Sequence, residues 1–155
     1  MNNSKLILLV TILSIGFFSG CSSVPLQLKQ VSQKAKNFSK PSDGNAGLYV
    51  YRDSSFGAAL KKDVWIDGKC LGETAPYIFF YKDVKGNAVH ILSTESEFSP
   101  NDLSLKTESG KNYFVRQYIK IGVFVGGAGL EVIAEKEAKE AISKLDMAVT
   151  GTCSK

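Results

Sequence analysis

The chain has 155 residues, 44% of them hydrophobic, and carries 19 Lys and Arg against 15 Asp and Glu, a net charge of +4. That length holds one domain with a core of its own but not two. The basic excess is too mild and too dispersed for a nucleic-acid partner, since no dense Lys/Arg run occurs, and aromatic residues set in alternating strings favour β-structure.

Met1-Asn2-Asn3-Ser4-Lys5 is polar with one cation, and the apolar run behind it, Leu6 to Phe18, has 13 residues. A helix that spans a bilayer needs about 20, so the run reads as the core of a signal peptide and not as a permanent anchor. Its end, Leu13-Ser14-Ile15-Gly16-Phe17-Phe18-Ser19-Gly20-Cys21, resembles the lipobox of bacterial lipoproteins, with Phe18 where Leu is usual. The resemblance implies that residues 1–20 are removed as a signal peptide and that the thiol of Cys21 is lipidated. The lipid bilayer is then a partner through acylated Cys21. Ser22, not Asp, follows the cysteine, which implies sorting to the outer membrane, facing the periplasm. An ordinary secretory peptide with a chance cysteine is the alternative.

Cysteine usage fits export. Lipidation would consume Cys21 and leave Cys70 and Cys153, an even pair in an oxidising compartment, so a Cys70–Cys153 disulfide is expected, with two free thiols as the alternative. Residues 21–45 read as the lipidated cysteine and a tether: polar, dotted with Lys29, Lys34, Lys36 and Lys40, and closed by Pro41-Ser42-Asp43-Gly44. One or two helical turns would fit within it. As a flexible chain it would reach about 25–30 Å.

Residues 46–155 read as the folded domain. Leu48-Tyr49-Val50-Tyr51 alternates as a strand with two usable faces, and Asp63-Val64-Trp65-Ile66 and Lys69-Cys70-Leu71-Gly72-Glu73 flank the hairpin signal Asp67-Gly68. Tyr77 to Tyr81, Ala88 to Ser93 and Leu103 to Lys106 are further strands. The longest alternating run, Asn112 to Lys120, sets Tyr113, Val115, Gln117 and Ile119 against Phe114, Arg116, Tyr118 and Lys120, and Val123 and Val125 carry its alternation on. From Ala134 to Leu145 the period turns helical, with Ala134, Ala138, Ala141, Ile142 and Leu145 on one face and i,i+4 charge pairs opposite. Short strands with Gly/Asn/Asp turns and one late helix predict an all-β fold, an antiparallel β-sandwich with one C-terminal helix.

Three ordered motifs carry a family likeness: Gly47-Leu48-Tyr49-Val50-Tyr51-Arg52, the stretch Val64 to Thr74, and Asn112-Tyr113-Phe114-Val115-Arg116-Gln117 through Gly126-Gly127. Together they resemble the bacterial lipoprotein family known as domain of unknown function 2846, over nearly all of residues 47–145. Val64 to Pro76 also resembles the short PEGA-type surface-layer β-module. The resemblances imply a sandwich-like domain on a lipid anchor, with no catalytic residue to carry over.

The residues themselves offer little chemistry. His90 is the only histidine and lies between Val89 and Ile91 in a strand, a structural or surface position with no nucleophile motif around it. One His and no Cys-x-x-Cys argue against a metal centre, and Glu95, Glu97 and Asp102 lack the spacing of a calcium loop. No catalytic residue and no cofactor is expected. Gly122 to Gly129 has no phosphate-binding pattern. Its glycines, Gly126, Gly127 and Gly129 among them, either let a bent strand pack closely or form an apolar contact loop for another envelope protein or a cell-wall partner. The function expected is that of a non-enzymatic binding or structural lipoprotein of the envelope. The alternative is a small-ligand carrier or enzyme with an unrecognised site.

Overall fold

Alternating side chains become strands wherever turn residues let the chain reverse, and the described residues, 23–97 and 101–154 of the computed structural model, follow that rule closely. The elements run α1 (Lys29–Ala35), β1 (Asn45–Arg52), β2 (Lys62–Ile66), β3 (Lys69–Thr74), β4 (Ile78–Lys85), β5 (Ala88–Thr94), β6 (Asn101–Thr107), β7 (Asn112–Lys120), β8 (Gly127–Val132), α2 (Glu135–Ile142) and β9 (Asp146–Met147). Residues 1–20, the expected signal peptide, and Cys21 lie outside the described residues.

The strands form two sheets, ordered β8-β7-β1-β4-β9 and β3-β2-β5-β6. The architecture is the sandwich expected, with most pairs antiparallel, but β1 lies parallel to β7 and β9 parallel to β4. Sequence alternation fixes which face a strand buries but not which distant strand it joins, so these two pairings carried no local signal. The Asp67-Gly68 hairpin is present, both residues having positive φ.

Between the sheets lies one core, in which Leu48, Val50, Phe80 and Val115 meet Val64, Leu71, Leu92 and Leu105. The interior also holds Gln117, whose Nε2 donates to Thr94 Oγ1 at 2.7 Å and whose Oε1 accepts from Thr74 Oγ1. A second core lies on the outer face of the five-stranded sheet, where Tyr49, Tyr51, Phe79 and Phe114 are covered by Ala138 and Ile142 of α2. β1 is therefore buried on both faces, as its aliphatic–aromatic alternation requires.

Two expectations are corrected. The run after Lys120 does not continue as a bent strand: the chain loops through residues 121–126 and returns as β8, antiparallel to β7, with Lys120 opposite Gly127. Nor are residues 24–45 a free tether. Val24 packs against the inter-sheet core, Leu26 bridges Ala148, Ser32 of α1 is buried, and the Phe38 ring sits 5.3 Å from Tyr49 and 6.0 Å from Phe114. Polar spacing disguised this segment, because backbone bonds and scattered side chains such as Val24, Ser32 and Phe38, not an apolar stripe, hold it.

The C-terminal tail closes the side of the sandwich. From β9 it crosses to the other sheet, where Gly151 N–H donates to Leu71 O and Thr152 O accepts from Glu73 N–H. Cys153 there is bonded to Cys70, with Cα atoms 6.0 Å apart.

Candidate functional site

The register places three chain reversals at one end of the sandwich. Arg52 pairs with Ile78 and Tyr51 with Arg116, so the ends of β1 and β7 and the start of β4 share that end. β7 runs on to Lys120, and its loop projects beyond the sheet. The loop between β1 and β2 lies beside it, with the Ile119 side chain against Gly57 and Leu60 against Gly126.

Both loops are held from below. The Arg52 guanidinium is fully buried and donates to the carbonyls of Leu60 (2.7 Å), Phe56 (2.9 Å) and Gly57 (2.8 Å), so one side chain fixes the shape of the β1–β2 loop. Burial lowers its pKa. In the second loop the carboxylate of Glu97 accepts from the successive backbone N–H groups of Val123 (2.7 Å), Phe124 and Val125 (3.1 Å). Desolvation works against its charge, but the N–H groups of Phe124, Val123 and Val125 outweigh it and hold the Glu97 carboxyl below the usual carboxylate range.

With these three N–H groups bonded, the loop turns its apolar side chains outward. Ile121 is 88% exposed, Val123 77%, Phe124 82% and Val125 58%, and Phe56 on the neighbouring loop is 55% exposed. Single exposed hydrophobic residues are ordinary, whereas five on two adjoining loops form a patch.

The three glycines named from the sequence have different tasks. A Cβ on Gly126 would strike Leu60 and one on Gly129 the Tyr118 ring, so these two permit close packing, while Gly127 has room for a side chain with nothing nearer than 3.7 Å. None of them forms the apolar tip. The signal for the tip was Ile121-Gly122-Val123-Phe124-Val125, apolar residues on both faces of what alternation alone would make a strand.

Other candidates go elsewhere. His90 is buried at the opposite end, its Nδ1 2.7 Å from Asp67 Oδ2 and its Nε2 donating to Lys85 O at 2.8 Å. Burial opposes its charge, but the bonds to Lys85 and Asp67 outweigh burial and raise its pKa above the ordinary 6.5. Glu95 lies 3.9 Å from Lys62, Glu97 caps the apolar loop and Asp102 sits in β6, so the three acids do not converge. Among the described residues no group of three His, Cys, Asp or Glu side chains could hold a metal ion.

A groove of about 310 Å³ runs between the N-terminal segment and the outer sheet face, lined by Val31, Lys34, Lys40, Tyr49, Tyr81 and Asp83 among others. Its phenols are already engaged, Tyr49 donating to Ala35 O at 2.9 Å and Tyr81 to Asp83 Oδ1 at 2.5 Å. Burial and the Asp83 carboxylate push Tyr49 up to about 12, and burial with the Asp83 bond raises Tyr81 as well. Neither is a base at neutral pH.

The match to known proteins follows this framework. A family model described as a protein of unknown function, DUF2846, matches residues 42–128. The chain belongs to that family. The DUF2846 match runs from just before β1 into β8, and so takes in both loops of the apolar end and Cys70 but not α2 or Cys153. An uncharacterized protein of Haemophilus influenzae is 60% identical over 132 residues, which cover 85% of this chain and 78% of that protein.

Proposed function

We propose that this DUF2846 protein is a lipid-anchored envelope lipoprotein, held by acylated Cys21 at the outer membrane and facing the periplasm, where it acts as a binding or structural module and not as an enzyme. The observation that carries the reading is the arrangement of its three cysteines. Cys70 and Cys153 are bonded to each other, which suits an oxidising compartment and leaves Cys21, at the end of the lipobox-like run, as the remaining thiol. The titratable groups support a non-catalytic role: His90 serves a hairpin, and the phenols of the groove are committed to internal partners.

The packing of the N-terminal segment changes how such an anchor would act. Only Ser22 and Ser23 separate Cys21 from Val24, which already rests on the core. Three residues span at most about 10–11 Å, so the lipid would hold the sandwich directly against the bilayer, not on a long leash. A single acyl chain gives marginal attachment, at roughly 0.8 kcal/mol per buried methylene, while the several chains of a mature lipoprotein make it permanent.

Radioactive palmitate supplied to growing cells tests the reading. The wild-type chain is expected to take up label and to fractionate with outer-membrane markers, and Cys21→Ala to lose both processing and label. Label retained by Cys21→Ala would overturn the anchor, and co-fractionation with inner-membrane markers would overturn the sorting.

A further inference from the structure

We infer that the apolar end of the sandwich (Phe56, Ile121, Val123, Phe124 and Val125) dips into the lipid bilayer and fixes the domain's orientation on the membrane. The inference rests on the reading of Cys21 as the lipid anchor and deepens it.

Three observations on different elements support it. The first is where the chain leaves the fold. Ser23 and Val24 line a cavity with Ala75, Pro76, Tyr77 and Ile78, and Ile78 pairs with Arg52 at the same end as the two apolar loops. An acyl group two residues before Ser23 would therefore bring that end to the membrane.

The second is the shape of the patch. It is a projecting loop tip and not a groove, with Ile121 and Phe124 more than four-fifths exposed. A convex tip offers a partner protein little enclosed area, whereas a fluid lipid layer closes around it without a matching surface.

The third is the loop's polar chemistry. Hydrocarbon provides no hydrogen-bond partners, so an inserting loop must satisfy its own backbone. Here the N–H groups of Val123, Phe124 and Val125 already bond to the Glu97 carboxylate. Behind the tip come residues suited to the headgroup layer: Lys120, its ammonium 5.6 Å from the centre of the Tyr118 ring, and Tyr77, half exposed.

The test uses the full chain, acylated and purified from membranes, in phosphatidylcholine vesicles whose acyl chains carry bromine. Phe124→Trp places a reporter at the tip, and the wild-type protein supplies the background from Trp65. The expected result is that the introduced tryptophan loses most of its emission in brominated vesicles while Trp65 is little affected. Acylated protein that floats with the vesicles yet shows no quenching at position 124 would overturn the inference and leave the anchor intact. Chain that is not acylated but floats and is quenched would overturn the anchor alone. Chain that is neither acylated nor bound would overturn both. A photo-crosslinker at position 124, used in whole envelopes, covers the other occupant: lipid adducts support insertion, and a single protein adduct without lipid overturns it.

Discussion

His90 shows how much a single side chain can do away from any active site. Lys85 O can only accept, so His90 Nε2 must carry a proton, and the facing Asp67 carboxylate is satisfied only when Nδ1 carries one too. The imidazolium is the form the fold prefers, in line with its raised pKa. A folded-state pKa above the unfolded 6.5 means that the native state binds the extra proton more tightly. Its stabilisation is full below about pH 6.5 and is lost as pH rises through the folded value. Asp67 works at the other limit: burial raises its pKa, but bonds from His90 and Ile91 outweigh burial, and its contribution fades as pH falls through its lowered value. Thermal melting followed from pH 5 to 9 should show a decline above about pH 6.5 that His90→Gln removes. An unchanged slope in the variant would assign the decline to other groups. A lone histidine in an apolar strand reads as structural from sequence, but its partners could not be read, because Asp67 and Lys85 approach it only once β5 is paired.

The legible elements were those whose burial matches a simple period. β7 spans the residues its alternation marks, and α2 falls within the helical stretch from Ala134 to Leu145. The illegible ones were held by non-local bonds. α1 buries only Ser32, and its segment docks through Phe38 and through Tyr49 Oη donating to Ala35 O. Phe38→Ala is expected to lower stability by about 1–3 kcal/mol, the half-buried share of a full Phe deletion. It should also raise hydrogen exchange across residues 29–38 while the strands stay protected. Uniform exchange would contradict the docking. β8 was hidden by its glycines, which read as a bend and are in fact the returning arm of a hairpin. The disulfide belongs to this scale as well, since it ties the tail to β3 across a separation of 83 residues. Closing a loop that long restricts the unfolded chain by roughly 4–5 kcal/mol, an upper bound. Cys70→Ser with Cys153→Ser should lower the melting temperature by many degrees, while the bonds of Gly151 and Thr152 to β3 give the tail some remaining order. A double variant as stable as wild type would show that those backbone bonds suffice.

At the scale of the molecule, the sandwich separates two kinds of end. One carries tight polar turns, at Asp67-Gly68 and Gly86-Asn87, tied together by His90. The other carries the Arg52-held loop, the apolar tip and the exit of the chain toward Cys21. The sandwich class was legible because strand and turn signals are local. The polarity between the ends was not, because it depends on which loops the parallel β1–β7 pairing sets side by side. The central claim is that Cys21 is the mature, lipidated N-terminus from which that polarity takes its meaning. Mass spectrometry of the N-terminal peptide, from protein isolated out of its native envelope, tests it most directly. The account predicts a peptide that begins at Cys21 and carries acyl mass on that residue. A peptide that begins upstream of Cys21, or a Cys21 open to alkylation, would contradict it.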